Sequence, residues 1–449
     1  MEDARPPAPD GLPLLGNAVG FGRDPLTFTT DAVDSVGDVF RIDLPVGDRY
    51  VLAHPRHAER VLVSERDAFE KTDDFALAFG NSVVAVDGED WREQRAFLDP
   101  FFFAPRIRTF VPTMREQVVD RAESWADGER ISTLSEMKAL TFEILATTLL
   151  GFDPDSDRAD LRRAADDLNG YFDPVTWALP DWVPTPSGRR FDDAKATLRD
   201  RLRSLLEEAA GPDDDSLVAA LAAAARGDER RDGEGGSRNG DADGEDYPRD
   251  VDAAIDQLIG LVFAGHETTA LALTFTLYCL AEHPETYDRV QAEVDDVLGG
   301  EPIRWEHLDE LTTLERVVDE SLRLYPPVHA LPREATRAVE FDGDVVPSGA
   351  ELLVSVYAMH RDERFWEHPE AFDPTRWTER DRSADAYLPF GAGPRRCIGA
   401  TFATVEARVA LAELLRRYRF EYAGEGELSL SPEMTNQPAG DVPMTVRRR

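Results

Sequence analysis

The leading candidate for a chemically active side chain in this sequence is Cys397. It lies within the glycine-rich loop FGAGPRRCIGA, residues 390–400. A cysteine attacks an electrophile or binds a metal as its thiolate. The loop leads into an apolar helical pattern, and the unpaired N–H groups at a helix start favour an anion. Three glycines of the loop allow tight turns and close approach of the backbone to a flat partner: Gly391, Gly393 and Gly399. The loop is therefore a candidate site for chemistry on sulfur.

Three interpretations of Cys397 are open from the residues of the loop. An anionic sulfur, an open backbone and the cations Arg395 and Arg396 suit a haem, with its iron on the sulfur and its propionates on arginine. A nucleophilic cysteine is also possible, although the loop has no histidine to act as its base. A buried free thiol is the commonest state of a single cysteine, and Cys279 in an apolar stretch fits that state.

An acid and an alcohol stand side by side in the stretch AGHETT, residues 264–269. Glu267 and Thr268 can carry protons, because a hydroxyl both accepts and donates a hydrogen bond. Ala264 and Gly265 leave little side-chain bulk next to this pair. The alternative is a pair of satisfied polar residues or a bend in a helix, since a short motif alone is weak evidence.

Other charged residues have helical spacing. Glu320 and Arg323 in ESLR are three residues apart, which ordinarily makes a solvated surface pair worth about 0.2–0.5 kcal/mol. Trp91 and Arg95 in WREQR stand one helical turn apart, and Arg333 lies in LPREA. An isolated arginine of this kind is usually a solvent-facing charge.

The loop around Cys397 resembles the haem-binding signature of the cytochrome P-450 superfamily. The matching residues are Phe390, Gly393, Arg395, Cys397 and Gly399, at F-x-x-G-x-R-x-C-x-G spacing. The resemblance covers roughly residues 10–445 and implies a fold that is mainly α with small β-sheets. It also implies a haem-thiolate monooxygenase that carries haem b on Cys397. Such an enzyme inserts one atom of O2 into an apolar substrate while the other atom leaves as water.

The resemblance also assigns roles to the other motifs. Ala264, Glu267 and Thr268 match the oxygen-activation motif, in which the acid and the alcohol relay protons. Glu320 and Arg323 match E-x-x-R, a pair that the family joins to a later arginine, here Arg376 in FDPTRW. The residues implied to bind the cofactor are Trp91, Arg95, Arg333 and Arg395 around the propionates, with Phe390, Gly391 and Gly399 in the cysteine loop.

The reaction needs two electrons, and the chain has neither a GxGxxG fingerprint nor a cysteine cluster for iron and sulfur. We therefore expect NAD(P)H electrons to arrive through a separate donor such as a ferredoxin, docked near Arg395 and Arg396. Alternatives are a peroxide-driven peroxygenase or isomerase of the same fold, a haem sensor without turnover, and a cysteine hydrolase without haem. The acid–alcohol pair disfavours the first two.

The substrate pocket predicted from the resemblance is mostly apolar. Its segments are 72–86, about 165–185, 261–264, 328–332 and 434–438, with Phe75, Phe79, Phe172, Val328 and Leu331 as candidate walls. Each of these residues could equally belong to the ordinary core. Fatty acids, terpenoids, carotenoid-like chains and steroids all remain open as substrates.

The elements that must position these residues follow from the pattern of apolar residues. We expect a hairpin around Gly47–Asp48, a mostly helical region 106–225, and a long buried helix from Val251 to Pro284. Short strands are predicted across 338–360, and the last long helix begins just after Cys397. Residues 226–250 read as a flexible acidic loop within one domain of residues 1–449, or as a linker between two domains.

Composition limits the setting of the protein. The formal net charge is −38 and only Lys71, Lys138 and Lys195 are lysines. Molar salt screens such self-repulsion, so we expect a salt-adapted, halophilic source, and the alternative is an acidic protein of a mesophile. No basic stripe supports nucleic-acid binding, no apolar run reaches the ~18 residues of a membrane span, and two cysteines fit a reduced cytoplasm.

Overall fold

The computed structural model describes residues 5–45, 47–152, 159–168, 185–209, 216–232, 247–378 and 385–449. The described helices are α1 Ala18–Arg23, α2 Pro25–Val36, α3 Pro55–Glu59, α4 Asp73–Phe79, α5 Gly88–Leu98, α6 Ala104–Glu123, α7 Thr133–Thr148, α8 Ala159–Asp167, α9 Pro186–Glu208, α10 Leu217–Asp232, α11 Val251–Glu282, α12 Pro284–Leu298, α13 Thr312–Leu324, α14 Val356–Arg361 and α15 Ala400–Arg417. The described strands are β1 Val39–Ile42, β2 Arg49–Leu52, β3 Phe69–Glu70, β4 Arg130–Ser132, β5 Ala330–Ala335, β6 Val339–Phe341, β7 Asp344–Val346, β8 Glu351–Ser355, β9 Tyr418–Tyr422, β10 Leu430–Pro432, β11 Asn436–Pro438 and β12 Pro443–Arg448. The predicted fold class, mainly α with small sheets, is confirmed.

Helix α11 is the longest described helix and runs through the core. The Asp250 side chain caps its start by accepting a hydrogen bond from the Ala253 N–H at 2.7 Å. The helix ends at Glu282, and only His283 separates it from Pro284, the first residue of α12. The helix is apolar enough to cross a membrane by length and composition, but most of it is buried inside the protein. It is therefore a core helix, as the sequence predicts.

The strands form small separate sheets at the periphery of the helices. A five-stranded sheet has the order β1-β2-β8-β5-β3, and a three-stranded sheet has the order β4-β12-β9. The predicted hairpin around Gly47–Asp48 is confirmed, because β1 and β2 pair antiparallel with Val39 opposite Leu52. In the same sheet β3 pairs antiparallel with β5, with Glu70 opposite Glu334. This register brings Lys71 next to Arg333.

Helix α15 begins at Ala400, after an N-cap at Gly399. Its predicted apolar stripe is confirmed at Phe402, Val405, Val409 and Ala412, which are all buried. Ile398 precedes the helix and is partly exposed. The helix packs against α6 and α11, which holds the cysteine loop at one end of the core.

Two local predictions were wrong. Residues 356–361 form helix α14 instead of continuing β8, because the Ser355 side chain caps them by accepting from the Ala358 N–H at 3.2 Å. The predicted loop 226–250 begins too early, because the alanine-rich start of α10 carries the helix on to Asp232. Tyr247 at the other end is buried and donates to Gln257 at 3.0 Å. Residues 233–246 lie outside the described residues.

Candidate active site

The cysteine loop is closed by backbone hydrogen bonds. The Cys397 N–H donates to the Phe390 carbonyl at 2.9 Å, and the Arg396 N–H donates to the Gly393 carbonyl at 3.1 Å. The Cys397 side chain is exposed to solvent-sized space although protein atoms surround it closely. Burial raises the pKa of the Cys397 thiol, and the Gly399 N–H together with Arg95 and Arg396 opposes that rise. The sulfur is therefore accessible from outside the loop, as a metal ligand must be.

Two of the three loop glycines are required by backbone conformation. Gly391 and Gly393 have φ angles of +68° and +69°. A Cβ at Gly393 would also lie 2.3 Å from the Leu62 carbonyl oxygen, so the loop passes directly over that backbone. Gly399 has a φ angle of −81°, and its Cβ would make only ordinary contacts. The expected turn at Gly399 is present, since the Ala400 N–H donates to the Cys397 carbonyl at 3.4 Å, but it does not require a left-handed conformation.

Trp91 and Arg95 lie on α5, which borders the cysteine loop. Arg95 pairs with Asp99 at 2.7 Å and donates to the Arg396 carbonyl at 2.8 Å. The Arg395 guanidinium lies over the Trp91 ring, 4.9 Å from its centre. The helix and the loop are thereby connected on both sides.

Arg395 belongs to a largely buried group of positive charges that the sequence motifs did not reveal. It forms an ion pair with Asp87 and donates to the Val86 carbonyl at 3.0 Å. Arg333 is buried, and burial together with Arg395 lowers its pKa to about 10. Burial and the charges of Arg333 and Arg395 hold the pKa of Lys71 well below its ordinary value. The cluster carries more positive than negative charge, with Asp87 as its counter-charge.

The middle of α11 opens on one face. Ala264, Gly265 and Thr268 are partly exposed, whereas the helix is buried on either side of them. The Thr268 hydroxyl donates to the Ala264 carbonyl at 2.7 Å, one turn earlier. A Cβ at Gly265 would lie 3.3 Å from Leu145 on α7, so this glycine also permits close helix packing. Ala264 and Thr268 therefore line the open face.

Glu267 is buried and held by three donors. Its carboxylate accepts from the Lys138 ammonium at 2.9 Å and from the Gln437 amide at 2.7 Å. The Thr435 hydroxyl donates to its second oxygen at 3.1 Å. Lys138 is on α7 and the other two donors are at β11, so the predicted proton-relay acid lies where three parts of the chain meet.

Glu320 and Arg323 are fully buried, which excludes the surface pair considered for them. Their ion pair is bidentate, at 2.9 and 3.0 Å. Arg376 donates to the same carboxylate at 2.9 Å, and so does the Trp377 indole at 2.9 Å. Arg323 also donates to the Pro369 carbonyl at 2.6 Å. The network ties α13 to the segment that leads to the cysteine loop.

The candidate pocket residues separate into two groups. Phe75 and Phe79 belong to the main core, and Phe79 packs against Phe263 with ring centres 4.8 Å apart. Val328 and Leu331 are only partly buried. Phe172 and most of the predicted 165–185 wall lie outside the described residues.

Comparison with known proteins decides the family. The family description Cytochrome P450 matches residues 6–441. The chain belongs to the cytochrome P450 family. Cyclooctat-9-en-7-ol 5-monooxygenase of Streptomyces melanosporofaciens is 33% identical over 92% of this chain and 88% of its own length. Cyclooctatin synthase of the same organism is 32% identical over 95% and 92%, and pentalenene oxygenase of Streptomyces avermitilis is 31% identical over 92% and 90%.

This P450 is a monooxygenase that introduces oxygen into apolar organic substrates. The family implies haem, and the described residues fit it. Cys397 offers a sulfur at the start of a helix, in a loop whose backbone stays close to its neighbours. The cations Lys71, Arg333 and Arg395 outnumber their single counter-charge, Asp87. They can therefore bind the two negatively charged propionates of haem. The predictions of a P450 enzyme and of haem chemistry are thereby confirmed.

The sequence motifs missed Lys71, Asp87, Lys138 and Gln437. Their sequence neighbours give no motif, since each reaches the site from a separate element. For the two lysines there was one compositional signal. Lysine occurs only three times among 50 basic residues, and Lys71 and Lys138 both lie beside predicted site residues. Where arginine supplies nearly all the basic residues, a lysine is a candidate for a specific contact.

Proposed function

We propose that this P450 hydroxylates or epoxidises a cyclic terpenoid hydrocarbon or alcohol. The observation that carries the proposal is the similarity, over most of each chain, to relatives whose names specify oxygenation of cyclooctat-9-en-7-ol and of pentalenene. The open face at Ala264 and the partly buried Val328 and Leu331 are small or apolar, which suits such a substrate. Fatty acids and steroids are the competing substrates.

The residues of the chain divide the work as follows in this proposal. Cys397 binds haem b through its sulfur, and the bound haem supplies activation of O2 for oxygen transfer to carbon. Arg333 and Arg395, with Lys71, hold the propionates. Trp91 and Arg95 support the loop from α5, and Phe390, Gly391 and Gly399 shape it.

Proton delivery is assigned to Glu267 and Thr268. The Thr268 hydroxyl faces the open side of α11 and can pass a proton on, because it accepts and donates at the same oxygen. Glu267 would supply that proton from its buried network. The segment before the loop is held to α13 by the ion pairs of Glu320, Arg323 and Arg376.

Electrons are proposed to come from NAD(P)H through a separate ferredoxin. Of the two arginines predicted at its docking surface, Arg395 is turned inward onto Asp87, whereas Arg396 is exposed. Phe103 beside Phe102 is 58% exposed near the same loop and offers an apolar contact. We propose a cytoplasmic, salt-adapted setting and one domain over residues 1–449, in which high salt screens repulsion between acidic partners.

A reconstituted reaction tests the substrate class. The purified P450 is supplied with NADPH, a ferredoxin reductase, a ferredoxin and 18O2, and offered sesquiterpene and diterpene hydrocarbons, fatty acids and steroids. We expect a spin-state shift and a product with one 18O atom from a cyclic terpene. Oxidation of fatty acids or steroids alone contradicts the substrate class. Product formation from peroxide alone, and not from O2 with the donor, identifies a peroxygenase instead, and ligand binding without any product identifies a sensor.

A further inference from the structure

His360 lies near the end of α14 and is fully buried between α13 and the segment that leads into the cysteine loop. Both of its ring nitrogens contact backbone groups. Nδ1 is 3.1 Å from the Arg323 carbonyl oxygen on α13, and the Leu388 N–H donates to Nε2 at 2.9 Å. Leu388 stands nine residues before Cys397. One side chain therefore joins the helix of the buried Glu320–Arg323 pair directly to the start of the loop.

These two contacts fix which nitrogen of the ring carries the proton. A carbonyl oxygen only accepts, so Nδ1 must donate to Arg323, and a backbone N–H only donates, so Nε2 must accept from Leu388. Burial lowers the pKa of His360 to about 3, although the hydrogen bond to the Arg323 carbonyl opposes that shift. The ring is therefore neutral and keeps a lone pair on Nε2 for the Leu388 N–H.

The His360 ring is also held in place from its other sides. The Arg323 guanidinium donates back to the His360 carbonyl at 2.7 Å, so these two residues are joined in both directions. The Tyr387 ring stacks on the imidazole with centres 5.4 Å apart, and the Tyr387 hydroxyl donates to the Asp319 carbonyl at 3.1 Å. With its plane and both nitrogens fixed, the ring presents Nε2 at one position.

The Leu388 backbone connects that position to the cysteine. Its carbonyl accepts from the Gly391 N–H at 3.1 Å, which closes the first turn of the loop. In the same turn the Phe390 carbonyl accepts from the Cys397 N–H at 2.9 Å. Pro389 has no N–H, so the Leu388 N–H is the last backbone donor ahead of Phe390. A shift of Leu388 would therefore move the carbonyl that holds Cys397.

We propose that His360 is a positioning residue for the iron ligand, because its ring sets the place of the Leu388–Gly391 turn and, through that turn, the place of the Cys397 sulfur. The proposal rests on the ligand role of Cys397 given above and does not depend on the substrate class. The Glu320 network holds the preceding segment as a whole, whereas His360 holds the one amide that begins the loop. Removal of a group that orients a metal ligand from behind typically costs about 10–100-fold in metal affinity.

Two substitutions separate the two contacts of the ring. His360→Gln brings an amide oxygen to the place of Nε2, so it can accept from Leu388 but loses the bond to Arg323. His360→Asn brings an amide N–H to the place of Nδ1, so it keeps the bond to Arg323 but leaves the Leu388 N–H unpaired. Each variant loses one buried hydrogen bond, so we expect similar losses in the free energy of unfolding. Only His360→Asn should disturb the sulfur.

The reduced carbon-monoxide form of the holoenzyme reports the sulfur ligand without any turnover. We expect the share of haem with the thiolate type of spectrum to fall by about tenfold in His360→Asn and by less than about twofold in His360→Gln. The matched control is Trp366→Phe, which removes a buried bond of 2.9 Å to the neighbouring Met359 carbonyl that does not lead to the loop. It should lower stability and keep the spectrum. Equal spectra in His360→Gln and His360→Asn, whether both kept or both lost, overturn the proposal.

Amide hydrogen exchange of the ferric holoenzyme locates the change. Peptides that cover residues 388–397 should exchange about tenfold faster in His360→Asn than in His360→Gln, because the unpaired Leu388 N–H loosens the turn. Peptides from α13 and from the second half of α15 should exchange alike in both variants. Faster exchange of α13 and α15 in His360→Asn would show a general loss of structure and contradict a positioning role.

Failure of the ligand assignment has a different signature. If the unmodified protein lacks the thiolate type of spectrum, Cys397 is not the ligand and the proposal fails with that assignment. If the unmodified protein has that spectrum and all three variants keep it, the role of His360 is wrong and Cys397 remains the ligand.

Discussion

At the scale of single residues, chemistry depends on which polar groups are left available. Both cysteines occupy surroundings that raise the thiol pKa through burial, but their access differs. Cys279 is buried within α11, whereas Cys397 faces space beside the loop. The two cysteines therefore differ in access, and the proposed iron ligand, Cys397, is the accessible one.

We predict that Cys397→Ser folds but loses the thiolate type of carbon-monoxide difference spectrum, because a hydroxyl does not replace a thiolate as an iron ligand. The matched variant is Cys279→Ser, which should keep that spectrum. Circular dichroism of both variants checks folding. Retention of the spectrum in Cys397→Ser, or its loss in Cys279→Ser, contradicts the assignment of the ligand.

At the scale of elements, buried ion pairs connect helices to segments that have little regular structure. Glu320 accepts from the Asp373 N–H at 3.0 Å as well as from the side chains of Arg323, Arg376 and Trp377. Arg323 donates in turn to the His360 carbonyl at 2.7 Å. An irregular segment held in this way keeps its shape only while the carboxylate stays charged and in place.

We predict that Glu320→Gln lowers the free energy of unfolding by about 3–5 kcal/mol, because it leaves buried guanidinium groups without their counter-charge. The control is Glu301→Gln. Glu301 also forms an i, i+3 pair with an arginine, Arg304, but the two side chains are 64% and 59% exposed. That change should cost less than about 0.5 kcal/mol. Denaturant unfolding of both variants gives the comparison, and equal losses would mean that burial of the network does not matter.

At the scale of the whole molecule, charge sets the conditions under which the fold is stable. The chain has 88 acidic and 50 basic residues. Salt weakens exposed ion pairs such as Arg447 with Glu421, but it also screens the repulsion among the surplus acids. The surplus is large, so the second effect should exceed the first.

We predict that the unfolding midpoint temperature rises by several degrees between roughly 0.1 M and 2 M KCl, because the Debye length falls from ~10 Å to below ~3 Å. Sucrose at matched osmolality separates screening from solute exclusion, since sucrose is excluded from the surface but carries no charge. A midpoint that is flat in KCl, or that rises as much in sucrose, would contradict a salt-adapted protein.

Much of the fold and of the candidate site could be predicted from the sequence. The signature around Cys397, the long apolar run of α11 and the stripe of α15 are local patterns, because helix periodicity and loop glycines depend on near neighbours. These patterns predicted the family and the central helices, and they are the basis for proposing Cys397 as the ligand. Local propensity did not predict that 356–361 is helical or that Gly399 needs no special conformation.

Other properties arose from contacts between distant segments. Sequence spacing favoured a surface position for Glu320 and Arg323, yet both are buried, because burial depends on what packs over a helix face. Lys138 meets Glu267 across 129 positions of sequence, and Lys71 meets Arg333 across a strand pair. Coulomb interactions depend on distance in space and on local exclusion of water, which residue order does not encode locally. The charged groups that control the site therefore became visible only when the chain was folded.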